Sequence, residues 1–96
     1  MGKRPAAGYT LSQSLEDFAE LAGREGEWAR TPRLLGAAEA LRERMANPLQ
    51  PRERAEYERY LNRAREALGE AAAAAGWEAG RALSLEQAVA FALSIG

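Results

Sequence analysis

RLLGAAEALRERM, residues 33–45, is the stretch whose reading decides the fold. Leu34, Ala38, Leu41 and Met45 recur at i, i+4, i+7 and i+11, a single stripe along a helix. Glu39, Arg42, Glu43 and Arg44 largely take the other side, the pattern of a half-buried surface helix. Gly36, Ala37, Ala38 and Ala40 put little bulk between this backbone and its neighbours, which permits close helix–helix approach. The segment is scaffold, and no catalytic constellation accompanies it.

Upstream, Pro32 lacks an N–H and suits only the first turn of this helix, so Thr31 is predicted as N-cap with Pro32 at the first position. Trp28 stands just before that start, after the turn GREGE, in which Gly23 and Gly26 end an earlier helix. That helix is predicted over Leu11 to Arg24, opened by a capping box of Thr10 and Gln13. Leu11, Leu15, Phe18 and Ala22 form its inward stripe, with Leu21 beside it. Residues 1–9, with Gly2, Pro5 and Gly8, read as a flexible arm, and 10–96 as one helical domain.

Downstream, Asn47 and Pro48 interrupt the pattern, and Pro51 opens a third helix that continues to Leu68. Its stripe is Tyr57, Leu61, Ala64 and Leu68, widened by Tyr60, while Arg52–Glu56 and Arg54–Glu58 have the spacing of surface ion pairs. Gly69 stands where a left-handed C-cap belongs. A short fourth helix follows from Glu70, rich in alanine, anchored by Trp77 and closed by Gly80. Leu61 and Trp77 are expected in one continuous core. Ser84 and Gln87 form a second capping box, with Leu83 and Ala88 at the staple positions. The last helix carries Leu85, Ala88, Val89 and Ala92 on one side, with Phe91 and Ile95 near its edge. Five helices and no strand make an all-α domain, and short connections favour stacked antiparallel hairpins.

Ninety-six residues suit a single core, one that buries somewhat over about 60% of the surface the unfolded chain exposes. The chain is 47% hydrophobic but only 7% aromatic, so that core is thin and alanine-rich. Formal charge is −1 with Arg and Glu interleaved, which gives no domain-wide footprint for nucleic acid or anionic membrane, although Lys3 and Arg4 make a small basic start. There is no Cys and no His, so disulfides and the usual transition-metal ligand sets are missing. Nowhere do about 18 apolar residues run together, and a soluble cytoplasmic protein is the default expectation.

Leu15, Phe18, Ala19, Ala22, Gly26, Thr31, Leu35 and Ala38 follow the spacing of large and small residues in a tetratricopeptide repeat. Leu15 stands where that repeat favours Trp, Ala22 where it favours Tyr, and Thr31 where it favours Ala. RLLGAAEALRE taken with WEAGRALSLEQAVAFAL resembles the extreme C-terminal region of bacterial LuxR-type and related ATPase-containing transcriptional regulators. Pro32 departs from the alanine usual there. The resemblance implies a tetratricopeptide-like helical array that serves interaction or regulation, with neither the ATPase nor the helix-turn-helix in this chain. It carries no catalytic residues over.

GREG is no phosphate loop, because the Lys-Ser/Thr ending and the preceding strand are absent. Ser12, Ser14, Ser84 and Ser94 have no His partner, and Glu16 with Glu20, or Glu39 with Glu43, read as solvated pairs. Neither catalytic, cofactor nor metal residues are therefore assigned, and an enzyme is not expected. Arg52, Arg54, Arg59, Arg63 and Arg65 are interspersed with Glu53, Glu56, Glu58 and Glu66, so nucleic acid is not expected to bind this chain alone. The function expected is a non-catalytic protein-interaction scaffold, with a small DNA-binding module as the alternative. Tyr9, Leu21 and Trp28 are the interaction residues, for a protein partner or a second copy in a homodimer. No membrane partner is expected.

Overall fold

A computed structural model describes residues 7–94, with side chains described for 11–94. The arm residues 1–6, the side chains of Tyr9 and Thr10, and Ile95 lie outside the described residues. Five helices follow in order, α1 (Ala7–Arg24), α2 (Arg30–Met45), α3 (Pro51–Leu68), α4 (Glu70–Arg81) and α5 (Leu85–Leu93), and no strand occurs among the described residues. The all-α fold is as expected.

α2 is the hub rather than a half-buried surface helix. It packs most extensively on α1 and α4, with α3 and α5 on its flanks, and is buried through most of its length from Thr31 to Arg42. A stripe drawn through its large apolar residues alone understates this, because Gly36, Ala37 and Ala40 admit neighbours on the remaining sides. The closest approach is to α4. A methyl on Gly36 would run into the Trp77 carbonyl, and one on Gly80 into the Arg33 carbonyl, so the two backbones touch. Contacts of Gly76 with Pro32, Gly80 with Ala37, and Arg81 with Glu43 advance together along both helices, which therefore run in the same direction.

Several helix ends differ from the sequence expectation. α1 begins at Ala7, so Thr10 lies inside it, and the Gln13 amide donates to Asp17 at 3.2 Å instead of closing a capping box. α2 begins at Arg30, with Ala29 at its N-cap. Thr31 is a tie rather than a cap: it is fully buried, and its hydroxyl donates to the Ala19 carbonyl of α1 at 2.9 Å. Pro32 still sits in the first turn, where no intrahelical N–H is needed. Gly69 joins α3 to α4 at φ 94° and ψ 154°, an extended positive-φ conformation and not the left-handed cap. α4 runs through Gly80, which is buried on α2 rather than ending the helix.

Other ends follow local rules. Pro51 opens α3, and Glu53 accepts the Gln50 N–H at 2.9 Å. At α5, Ser84 Oγ accepts from the Gln87 N–H at 3.1 Å while Gln87 Oε1 accepts from the Ser84 N–H at 2.9 Å, the reciprocal box expected there.

The core is built of Leu15, Leu34, Leu35, Leu41, Tyr57, Tyr60 and Leu61, filled in by alanines. Trp77 is partly buried against it, and its ring N–H donates to the Tyr57 hydroxyl at 2.8 Å. Leu61 and Trp77 thus belong to one continuous core. On α5, Ala88 and Ala92 point inward, but Leu85 does not; Leu83 and Phe91 take that packing role instead. Met45, last in the α2 stripe, lies beyond the packed region and is exposed.

Candidate interaction site

Glu16 and Glu20 do not form a solvated pair. Glu16 is buried, its carboxylate held by Arg42 through Nε at 2.6 Å and Nη2 at 2.9 Å, while Arg42 Nη1 donates to the Asn47 carbonyl at 3.1 Å. This charge-assisted fork ties α1, α2 and the linker before α3 together. Periodicity puts Arg42 on the exposed side of its helix, and only the position of α1 reveals its partner.

Glu16, held by this fork, lines one side of a groove of about 260 Å³ between α1 and α3. Gln13, Glu16 and Glu20 share one face of α1, while Arg52, Glu53, Glu56, Tyr57 and Tyr60 come from α3, with Leu35 of α2 at the floor. Among the described residues lining it, four are glutamates and one, Arg52, is cationic. Burial raises the Glu20 carboxyl above its ordinary value, and repulsion from Glu56 and Asp17 adds to this, against the opposing pull of Arg24 and Arg59. Arg24 reaches Glu20 only at 3.6 Å. Glu56 is shared with Arg59 at 2.7 Å, whose guanidinium also stands 5.7 Å from the Tyr60 ring.

Tyr57 stands between this groove and a second one of about 240 Å³ between α3 and α4. Its hydroxyl donates to the Leu35 carbonyl at 3.1 Å and accepts from Trp77, and burial pushes its phenol above the usual tyrosine range. The Arg54 guanidinium lies 4.8 Å from the same ring. A fixed aromatic floor results.

Of the expected interaction residues, Leu21 is 44% exposed and lines a shallow groove of about 130 Å³ with Phe18 and Ala22 of α1 and Ala92 of α5. α5 therefore covers part of the face that the sequence left open on α1. Trp28 is half-buried, its ring lying against Gly23 and 6.3 Å from that of Tyr60. The two residues are not brought together with the α1–α3 groove, and Tyr9 lies outside the described side chains.

The α3 arginines are largely engaged. Arg54 meets Glu39 at 3.3 Å and Glu58 at 3.8 Å, Arg59 meets Glu56, and Arg65 contacts Asn62. The spacing-based pair Arg54–Glu58 forms, whereas Glu56 pairs with Arg59 rather than Arg52. Such cross-neutralisation leaves little of the one-sign surface that phosphate binding requires. Among the described residues no cluster of three His, Cys, Asp or Glu is placed to hold a metal, and no helix is long and apolar enough to cross a membrane. Comparison with protein-family models, with curated proteins and with solved structures finds no match.

Proposed function

We propose that this chain is a non-catalytic helical protein-interaction scaffold, related to the tetratricopeptide-like C-terminal end of bacterial LuxR-type and ATPase-containing transcriptional regulators. The observation that carries this reading is the α1–α3 groove, whose floor of Leu35, Tyr57 and Tyr60 is apolar and whose rim is polar. Apolar anchoring at the centre with polar groups around it is the anatomy of a docking surface. Its volume of about 260 Å³ has room for one or two inserted side chains.

Panning a library of random displayed peptides against the purified chain tests the reading. Enrichment of peptides whose binding is lost in Tyr60→Ala, but kept in Arg63→Ala outside the groove, supports it. Failure to enrich any peptide over an unrelated helical protein overturns it.

A second reading, self-association, is favoured by one observation. Leu21 is a large apolar side chain exposed at the rim of the α1–α5 groove.

A further inference from the structure

The α1–α3 groove combines two properties: an aromatic floor, and carboxylates that repel one another across the opening. We infer that it receives a basic segment of a partner protein, with an arginine side chain seated between Glu20 and Glu56 over the rings of Tyr57 and Tyr60. This inference rests on the scaffold reading and adds the chemistry of the occupant.

The argument begins with charge. Glu16 is neutralised from behind by Arg42, and Glu53 is engaged by the Gln50 N–H at the start of α3. Glu20 and Glu56 stand at the rim, and Glu56 is bonded there to the exposed Arg59 at 2.7 Å. Among the described residues Glu20 has a distant, exposed partner in Arg24 and a further pull from Arg59, yet its carboxyl is held above its ordinary value by burial, Glu56 and Asp17. An arriving cation relieves that repulsion, whereas an anion intensifies it. A neutral segment does neither.

The preference for guanidinium over a neutral polar group follows from the floor. Tyrosine faces attract cations, and a planar guanidinium can stack there while its N–H groups reach carboxylates on either side. The chain contains its own example: Arg59 bonds Glu56 at 2.7 Å and stands over Tyr60. Its side chain is 59% exposed, so it is a displaceable competitor for the same carboxylate. Arg52 at the mouth opposes the occupant and sets which way the basic segment lies. The formal charge of the whole chain is only −1, so a strong preference for a cationic peptide cannot come from general attraction.

The test is a fluorescence-anisotropy titration with labelled peptides of alternating alanine and arginine, and the same peptides with citrulline, the neutral isostere, in place of arginine. The arginine peptide is expected to bind about tenfold or more tighter than the citrulline peptide. Glu20→Gln and Glu56→Gln should each weaken arginine-peptide binding by a similar factor and leave the citrulline peptide alone. Glu70→Gln, with the same charge change on α4, is the control. Arg59→Gln should tighten binding, since it releases Glu56, and Arg63→Gln should not. Equal binding of both peptides, or an effect of Glu20→Gln and Glu56→Gln no larger than that of Glu70→Gln, overturns the inference. If the random-peptide panning nonetheless enriches groove-dependent ligands that lack basic residues, the scaffold reading survives and only the arginine assignment falls.

Discussion

The guanidinium of Arg42 and the carboxylate of Glu16 form a two-pronged hydrogen bond at 2.6 and 2.9 Å, with side-chain exposures of only 3% and 9%. Twenty-six positions apart in sequence, the two residues hold α1 against α2 and fix Glu16, which lines the α1–α3 groove. An ion pair so far from water is balanced between desolvation and attraction, and the balance is lost when one partner leaves.

Removing one partner should therefore be costly while removing both is not. Arg42→Ala or Glu16→Ala is expected to cost about 3–5 kcal/mol in denaturant unfolding, whereas Arg42→Met combined with Glu16→Leu should recover most of that loss. Single-variant losses below about 0.5 kcal/mol, the level of an ordinary surface change, would show that the pair contributes no more than an exposed one.

Three glycines make a prediction of sign. All lie inside helices, so intrinsic propensity alone says that alanine stabilises each of them, by about 0.4–1 kcal/mol. At Gly76 a new methyl meets the Pro32 side chain at an ordinary 3.5 Å, and the gain should be realised. At Gly36 and Gly80 it meets a backbone carbonyl of the facing helix, which cannot rotate away. Gly36→Ala and Gly80→Ala should each lose at least about 1–3 kcal/mol, the usual range for overpacking. Thermal melts of the three variants read the difference directly, and a shared sign would mean that α2 and α4 are not in backbone contact.

Where one residue's partner is only three positions away, the structure was legible in the sequence. Ser84 with Gln87 and Pro51 at the start of α3 follow from such local rules, and all five helices follow from apolar period and breakers. Arg42 was not legible, because periodicity says which side of a helix is polar but not whether a carboxylate waits there. Gly80 is ambiguous for a related reason: a glycine near a helix end looks the same whether it caps the helix or admits another backbone. Thr31 likewise has a cap's residue type and a tie's geometry. The groove was half visible, since Gln13, Glu16 and Glu20 share one face of α1 and Glu53, Glu56 and Tyr60 one side of α3. That those faces oppose each other is set by how both helices lean on α2, which no spacing within a helix encodes.

Leu61→Ala tests the core at its α3 side. Leu61 is buried among the residues of the central cluster, and truncation should cost about 2–5 kcal/mol. Tyr57→Phe, which deletes the hydroxyl between Leu35 and Trp77, should cost less, about 1–3 kcal/mol, through the polar groups it leaves unpaired. Urea midpoints in the reverse order would mean that the Tyr57–Trp77 connection, not apolar packing, holds α3 to α4.

Glu20 gives a pH dependence whose sign can be worked out. Its carboxyl is raised above the ordinary 4.5 in the folded chain by burial and by Glu56 and Asp17, so the unfolded state ionises first as pH rises. Folding loses stability at this site as pH climbs through the raised value, and below about 4.5 the penalty vanishes because both states are protonated. Glu20→Gln, which never ionises, should match the parent below that pH and exceed it at neutral pH. Unfolding midpoints at acid and neutral pH measure the gap. A variant that is less stable than the parent at neutral pH would show that Glu20 is held by a favourable pairing.

Self-association through Leu21 is the last prediction, and area limits how strong it can be. The chain exposes 5632 Å² in all, and a stable specific interface buries about 1,000 Å² or more over both partners. Leu21 at 44% exposure cannot supply that alone, because Phe18 and Ala22 beside it share their groove with Ala92 of α5. A dimer built on this patch must recruit polar neighbours such as Glu25, Glu27 and Arg30, which also line the groove. The expected species is therefore a weak two-fold dimer, monomeric at low micromolar concentration and associating above it. Leu21→Glu should abolish the association without changing helicity, since the side chain lies outside the core cluster. Sedimentation velocity over a concentration series decides: a parent that stays monomeric at every concentration, indistinguishable from Leu21→Glu, would show that α5 alone is enough to close this face.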